Sequence, residues 1–175
     1  MRKIRRIVLV FLLAAFCAGL SACGYKFVGQ GGAFPQNVQQ IYVEMFKNNT
    51  TQTGLENTIT NALVFEFTRR NKAALAGSLE QADAALSGVI TGKTVQTVAP
   101  RGKDAAAQRR VTLSLNLKLV RVGGEIIWAG SSIRDNAVYP VAEDKLTTEQ
   151  NEREAILIIA TRLAEGIYNQ LTDNF

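Results

Sequence analysis

Residues 111–122 read as a strand whose first nine residues alternate without a break. Val111, Leu113, Leu115, Leu117 and Leu119 fall on one side, and Thr112, Ser114, Asn116 and Lys118 on the other. A β-strand turns successive side chains to opposite faces, so this pattern demands a sheet with one buried face and one open face. Such a sheet needs a second layer over its apolar side. Two segments are patterned to supply it. Residues 54–70 place Leu55, Ile59, Ala62, Leu63 and Phe67 at helical spacing behind a Thr53-Gly54-Leu55-Glu56 capping box. They end on Arg69 and Arg70, where cations suit the helix dipole. Residues 148–171 repeat Ala155, Ile156, Ile159, Ala160, Leu163, Ile167 and Leu171 behind a second box, Thr147-Thr148-Glu149-Gln150.

The other elements are shorter. Residues 41–46 read as a first strand with Ile41, Val43 and Met45 on one face, followed by a polar loop over 47–52. Residues 73–79 read as a short edge strand, and 85–98 as a strand bent at Gly88 and Gly92. A loop over 99–108 leads into the alternating strand. Gly123-Gly124 then supplies a tight turn into a return strand over 125–137 that carries Trp128. The order predicts an α/β (α+β) two-layer sandwich: one mixed, mostly antiparallel four-stranded sheet with two amphipathic helices on one face.

Ahead of this domain stand four basic residues (Arg2, Lys3, Arg5, Arg6), then an apolar run over 7–20, then Ser21-Ala22-Cys23. A helix needs ~20 apolar residues to span a bilayer, so a shorter run with these flanks reads as a signal peptide. Leu20-Ser21-Ala22-Cys23 resembles the lipobox of bacterial lipoproteins. That resemblance implies cleavage before Cys23, diacylglycerol on its sulfur and an acyl group on its amine. More than one chain makes a lasting anchor where a single chain does not. The expected organisation is a signal peptide over 1–22, a lipidated glycine-rich tether over 23–39, and one domain over 40–175. A tether this short keeps the domain within about 40 Å of the membrane.

Removal of the leader changes the bulk numbers. Of the 20 basic residues four precede Cys23, which leaves 16 against 15 acidic ones. The basic pI is therefore a property of the leader and gives no support for nucleic-acid binding. There is no histidine, and Cys17 leaves with the leader, so no disulfide and no histidine-based metal site, triad or relay is available. An enzyme is not expected, nor any cofactor apart from the covalent lipid. The paired carboxylates Glu143–Asp144 and Glu152–Glu154 are explained by the helix dipole.

Several short motifs follow one another in a set order: Cys23-Gly24-Tyr25-Lys26-Phe27-Val28-Gly29, Ile41-Tyr42-Val43, Phe46-Lys47-Asn48, Gly54-Leu55-Glu56, the run from Ala82 to Ile90, the alternating strand, and the turn into Trp128. This series resembles the LPS-assembly lipoprotein family (LptE) along the whole mature chain. The resemblance implies a non-catalytic lipoprotein on the periplasmic face of the outer membrane. It would plug the β-barrel lipopolysaccharide translocon, support its assembly and bind lipopolysaccharide. Gly24, in place of aspartate, fits export to the outer membrane. Other outer-membrane lipoprotein adaptors, such as cell-wall synthase activators and secretion accessories, share a similar sandwich. The short tether argues against the first, and the lack of a pore-lining hairpin against the second.

Candidate ligand residues are basic. Arg101, Lys103, Arg109 and Arg110 cluster around the loop between the central strands, against a single Asp104. Arginine forks and lysine point charges suit phosphates such as those of lipid A. The resemblance assigns lipopolysaccharide contact to a basic residue in this loop, matched best by Arg101, and to a second before the last helix, matched by Lys145. Tyr25 and Phe27 are candidates for contact with the membrane or the barrel. Pro100 and Tyr139 read mainly as loop packing, and the polar strand face is a further candidate for barrel contact.

Overall fold

The computed structural model describes residues 34, 37–71, 75–98 and 107–173, all within the unit Gly31–Phe175. The elements run β1 (Ile41–Val43), β2 (Lys47–Asn48), α1 (Leu55–Asn71), a 3-10 turn (Leu79–Gln81), β3 (Ala84–Val98), β4 (Gln108–Arg121), β5 (Ile126–Pro140) and α2 (Lys145–Asp173). The sheet order is β1-β3-β4-β5, with β2 also beside β3. Strands β1 and β2 run parallel to β3, whereas β3, β4 and β5 are antiparallel. The expected mixed α+β sandwich is what forms.

Its sheet has five strands rather than four, because the first strand is broken. After Val43 the chain leaves the ladder, and it rejoins at Lys47 opposite Val89. The detour exchanges two side chains. Phe46 enters the core at 2% exposure, and Met45, expected on the buried face, is 59% exposed. Gly88 makes room for this. A Cβ there would lie 2.3 Å from Cε2 of Phe46, so the glycine serves close packing. The expected bend at Gly88 does not occur; Gly88 pairs regularly with Leu117, and the irregularity falls between Ile90 and Gly92. The edge strand expected over 73–79 reduces, among the described residues, to one bridge between Leu75 and Ile41.

Both helices start differently in detail from their sequence signals. Glu56 reaches back as a capping carboxylate, but to the amide of Gly54 (3.2 Å), and it also accepts from Asn48 Nδ2 (2.7 Å). Helix α2 begins at Lys145, ahead of the expected Thr147 cap. Asp144 caps it, accepting the Thr147 amide at 2.7 Å, while the Thr148 hydroxyl accepts from the Ala142 amide at 2.9 Å. A carboxylate at the helix start gains from the dipole as a hydroxyl does not, which moves the start upstream.

The two helices cover the face that carries Val111, Leu113, Leu115, Leu117 and Leu119, all buried in one core with Ile59, Leu63, Phe67, Ile159, Leu163, Ile167 and Leu171. Near the helix C-termini Phe34 stacks on Phe67 (6.0 Å) and meets Tyr168 edge-on (6.1 Å). Glu66 is buried there between Arg69 and Arg70, at 2.7 and 2.8 Å, and Arg70 lies over the Tyr168 ring. The chain thus enters the domain beside the C-terminal ends of the helices. The C-terminal end of β3, the start of β4 and the β5–α2 connection lie at the opposite end of the sheet.

Gly88→Ala is expected to destabilise the domain by about 1–3 kcal/mol through overpacking against Phe46, read as a lower midpoint in thermal or urea unfolding. Gly92→Ala, whose new Cβ meets nothing closer than Ser114 Cβ at 4.0 Å, is the matched control and should shift the midpoint far less.

Candidate functional site

Strand pairing distributes the basic residues between the two faces of the sheet. Arg109 opposes Tyr139, and Arg110 opposes Val138. These neighbouring arginines therefore point to opposite sides, and the cluster expected around the loop is split. Both lie in β4 rather than in the connection before it.

Arg109 joins a partly buried network on the helix side. Tyr139 is 2% exposed in β5 and is not a loop residue; its hydroxyl donates to Glu152 Oε2 at 2.7 Å. Lys93 Nζ of β3 pairs with the other oxygen of Glu152 and donates to Gln52 Oε1 at 3.0 Å. Burial pushes the Glu152 carboxyl up, but hydrogen bonds from Lys93 and Tyr139, with the charges of Lys93 and Arg109, outweigh it and hold it below its ordinary value. Burial, reinforced by the bond to Glu152 and its charge, lifts Tyr139 to about 12 against the opposing pull of Arg109. One carboxylate thereby ties together β3, β5, α2 and the segment before α1. Beside it the Val141 amide donates to the Ala107 carbonyl at 2.9 Å, joining the roots of the two end connections.

Arg110 faces the other way, onto the side that no helix covers. The register aligns Arg110 with Gln96 and Val138, Thr112 with Thr94 and Asn136, and Ser114 with Gly92 and Arg134. Further along, Asn116 aligns with Val89 and Lys47, and Lys118 with Ser87 and Ala129. The open face is thus a field of hydroxyls and amides with four exposed cations: Arg110, Arg134, Lys47 and Lys118. None of the four is in an ion pair with another described residue, and Glu44 is the acid that borders them. Towards the hairpin end the face becomes apolar, with a groove of about 430 Å³ lined in part by Met45, Val89, Ile126 and Ala129.

The remaining candidates divide. Cys23, Tyr25, Phe27, Pro100, Arg101 and Lys103 lie outside the described residues. Lys145 is not in the loop before the last helix but in the first turn of α2, exposed and 3.5 Å from Glu149. Trp128 packs partly buried against the core. Arg134 and Lys47 were not singled out by sequence. Arg134 precedes Asp135, which turns inward to Arg162 at 2.7 Å, and only the pairing register separates the two. Among the described residues no cluster of His, Cys, Asp and Glu is fit to hold a metal, and no helix is long and apolar enough to cross a membrane.

The same fold occurs among lipoproteins. A candidate lipoprotein from Caulobacter crescentus matches with a TM-score of 0.51 at 15% identity, over 74% of this chain and 88% of its own. The uncharacterized lipoprotein B from Nitrosomonas europaea, solved by NMR, matches with a TM-score of 0.57 at 14% identity, over 85% and 90%. At these identities the likeness establishes the fold. No curated protein is close enough in sequence to match. The family model described as LptE, lipopolysaccharide-assembly, matches residues 38–171. The chain belongs to the LptE family and is a lipoprotein of the lipopolysaccharide-assembly type.

The Glu152 network sets a pH dependence. A carboxyl held low in the folded state contributes stability above its unfolded value of 4.5, lost as pH falls through the folded pKa. A phenol held high contributes stability that is lost as pH rises from 10.0 towards about 12. Glu152→Gln should therefore cost roughly 1–3 kcal/mol at neutral pH and flatten the acid limb, measured by urea unfolding from pH 3 to pH 7.

Proposed function

We propose that this protein is anchored by acylated Cys23 to the inner leaflet of the outer membrane. There it assembles with the β-barrel lipopolysaccharide translocon, fills part of its lumen and binds lipopolysaccharide during insertion. The family match over 38–171 carries the reading. The one-sided core supports it, because a sandwich with an uncovered polar sheet face is suited to close contact with a wall of mixed polar character. The chain enters the domain beside the helix C-termini, so an anchor eleven residues before Phe34 would draw that end towards the bilayer. The β3–β4 connection would then stand at the far end, about 46 Å away along strands of ~3.3 Å per residue.

In this reading Arg101 and Lys103 meet glycolipid phosphates, with Arg110 and Lys145 on the flanks. Arg109 contributes less, since its charge is engaged with Tyr139 and Glu152. The protein has no catalytic role here. The absence of histidine and the conversion of Cys23 into an anchor leave no ready nucleophile–base pair.

Extraction of the full lipoprotein in mild detergent should recover it with a large outer-membrane barrel; recovery only as a free monomer would remove the plug role. Separately, Arg101→Glu with Lys103→Glu should weaken lipopolysaccharide binding about tenfold or more, since charge-assisted contacts to phosphate are lost and repulsion replaces them. Unchanged binding would dismiss that loop as the ligand site.

A further inference from the structure

We propose that the open sheet face docks against an acidic protein wall, and that Arg110, Arg134, Lys47 and Lys118 form the cationic stripe that recognises it. The proposal rests on the barrel-plug reading and adds which face meets the wall and what charge that wall carries.

The spacing decides between two uses of these cations. Four residues of β4 separate the row of Arg110 from that of Arg134, and four more lead to the row of Lys118, with Lys47 one row before it. At ~3.3 Å per residue each interval is about 13 Å. A single phosphate is gripped by cations that converge within hydrogen-bond distance. A stripe this long cannot converge, so its complement is an extended surface. The side chains between the cations are threonine, serine and asparagine, which need partners in fixed positions. A folded wall supplies such partners.

Charge pairing points the same way. On the helix side of the sheet Arg69, Arg70, Arg162 and Lys93 each have a carboxylate at hand. On the open face none of the four cations is in an ion pair with a described residue; Glu44 borders the groove that Lys47 and Lys118 line, Arg110 and Arg134 lie beyond it, and a surplus of one sign attracts a surface of the other. The same argument excludes a second copy of this chain, because stacking two such faces would oppose like charges. The area is adequate. Strands β3, β4 and β5 are 14 or 15 residues long. At ~3.3 Å per residue and ~4.8 Å between strands, with the edge strands added, they present roughly 700–900 Å², near the ~800 Å² that one partner contributes to a stable interface.

The test uses the full lipoprotein carrying Lys118→Glu and Arg134→Glu, both exposed and outside the core, with Arg153→Glu on the exposed side of α2 as control. Wild type should retain the barrel through detergent purification and release it as salt rises from about 0.05 to 0.5 M. The double variant should retain about tenfold less barrel at low salt while its lipopolysaccharide binding and melting midpoint stay unchanged; the control should behave as wild type. Equal retention by wild type and double variant at every salt concentration overturns the docking face and leaves the plug reading intact. So does equal loss in the control. Loss of lipopolysaccharide binding with full barrel retention also overturns it, marking the stripe as a glycolipid track. If wild type itself never retains a barrel, the plug reading fails and the docking face falls with it.

Discussion

Burial of one face of β4 is the constraint on which the domain depends. Val111, Leu113, Leu115 and Leu119 are fully covered, and Leu117 nearly so, in the core that the two helices close. At about 1.5–3 kcal/mol for each such side chain, this one strand supplies a large share of the apolar driving force. A two-layer sandwich spends its helices on that side. The opposite face is then left to water or to a partner, and its side chains answer to different rules: polar and cationic over most of its length, apolar towards the hairpin end. The core and the docking face are two sides of the same alternation.

The ends of the sandwich are specialised by different chemistry. Beside the chain entry, aromatic packing of Phe34, Phe67 and Tyr168 is joined by a buried carboxylate between two arginines. At the far end, Glu152 gathers a lysine and a tyrosine from two strands onto α2. This second knot holds the roots of the β3–β4 connection, Val98 and Ala107, against α2. Charge-assisted hydrogen bonds fix these roots more firmly than neutral ones would. The same knot engages Arg109 with Tyr139 and Glu152.

Much of this was legible in the residues. Period-two alternation placed β4, and three- and four-residue spacing placed both helices, because each pattern belongs to one backbone geometry. The family series located the chain among lipopolysaccharide-assembly lipoproteins before any contact was known. The caps were read less well. Both helices began near their signals, but Asp144 competed successfully with Thr147, and Glu56 closed on Gly54.

Sequence alone determined the layers: which strand is one-sided, which helices cover it, and that no histidine is present to do chemistry. Only the tertiary structure decided which side each charge faces. Alternation predicts a face only while the ladder is unbroken, and a one-residue slip inverts every side chain beyond it. Two of the chain's several slips decide where large or charged side chains go. It leaves the ladder between Val43 and Lys47, which buries Phe46 and exposes Met45. It slips again where the pairing shifts between Leu115 and Leu117, near Ser132 with its φ of 55°, which sends Arg134 outward and Asp135 inward. Those slips are paid for by packing across strands distant in sequence, so no local pattern could reveal the cationic stripe that they assemble.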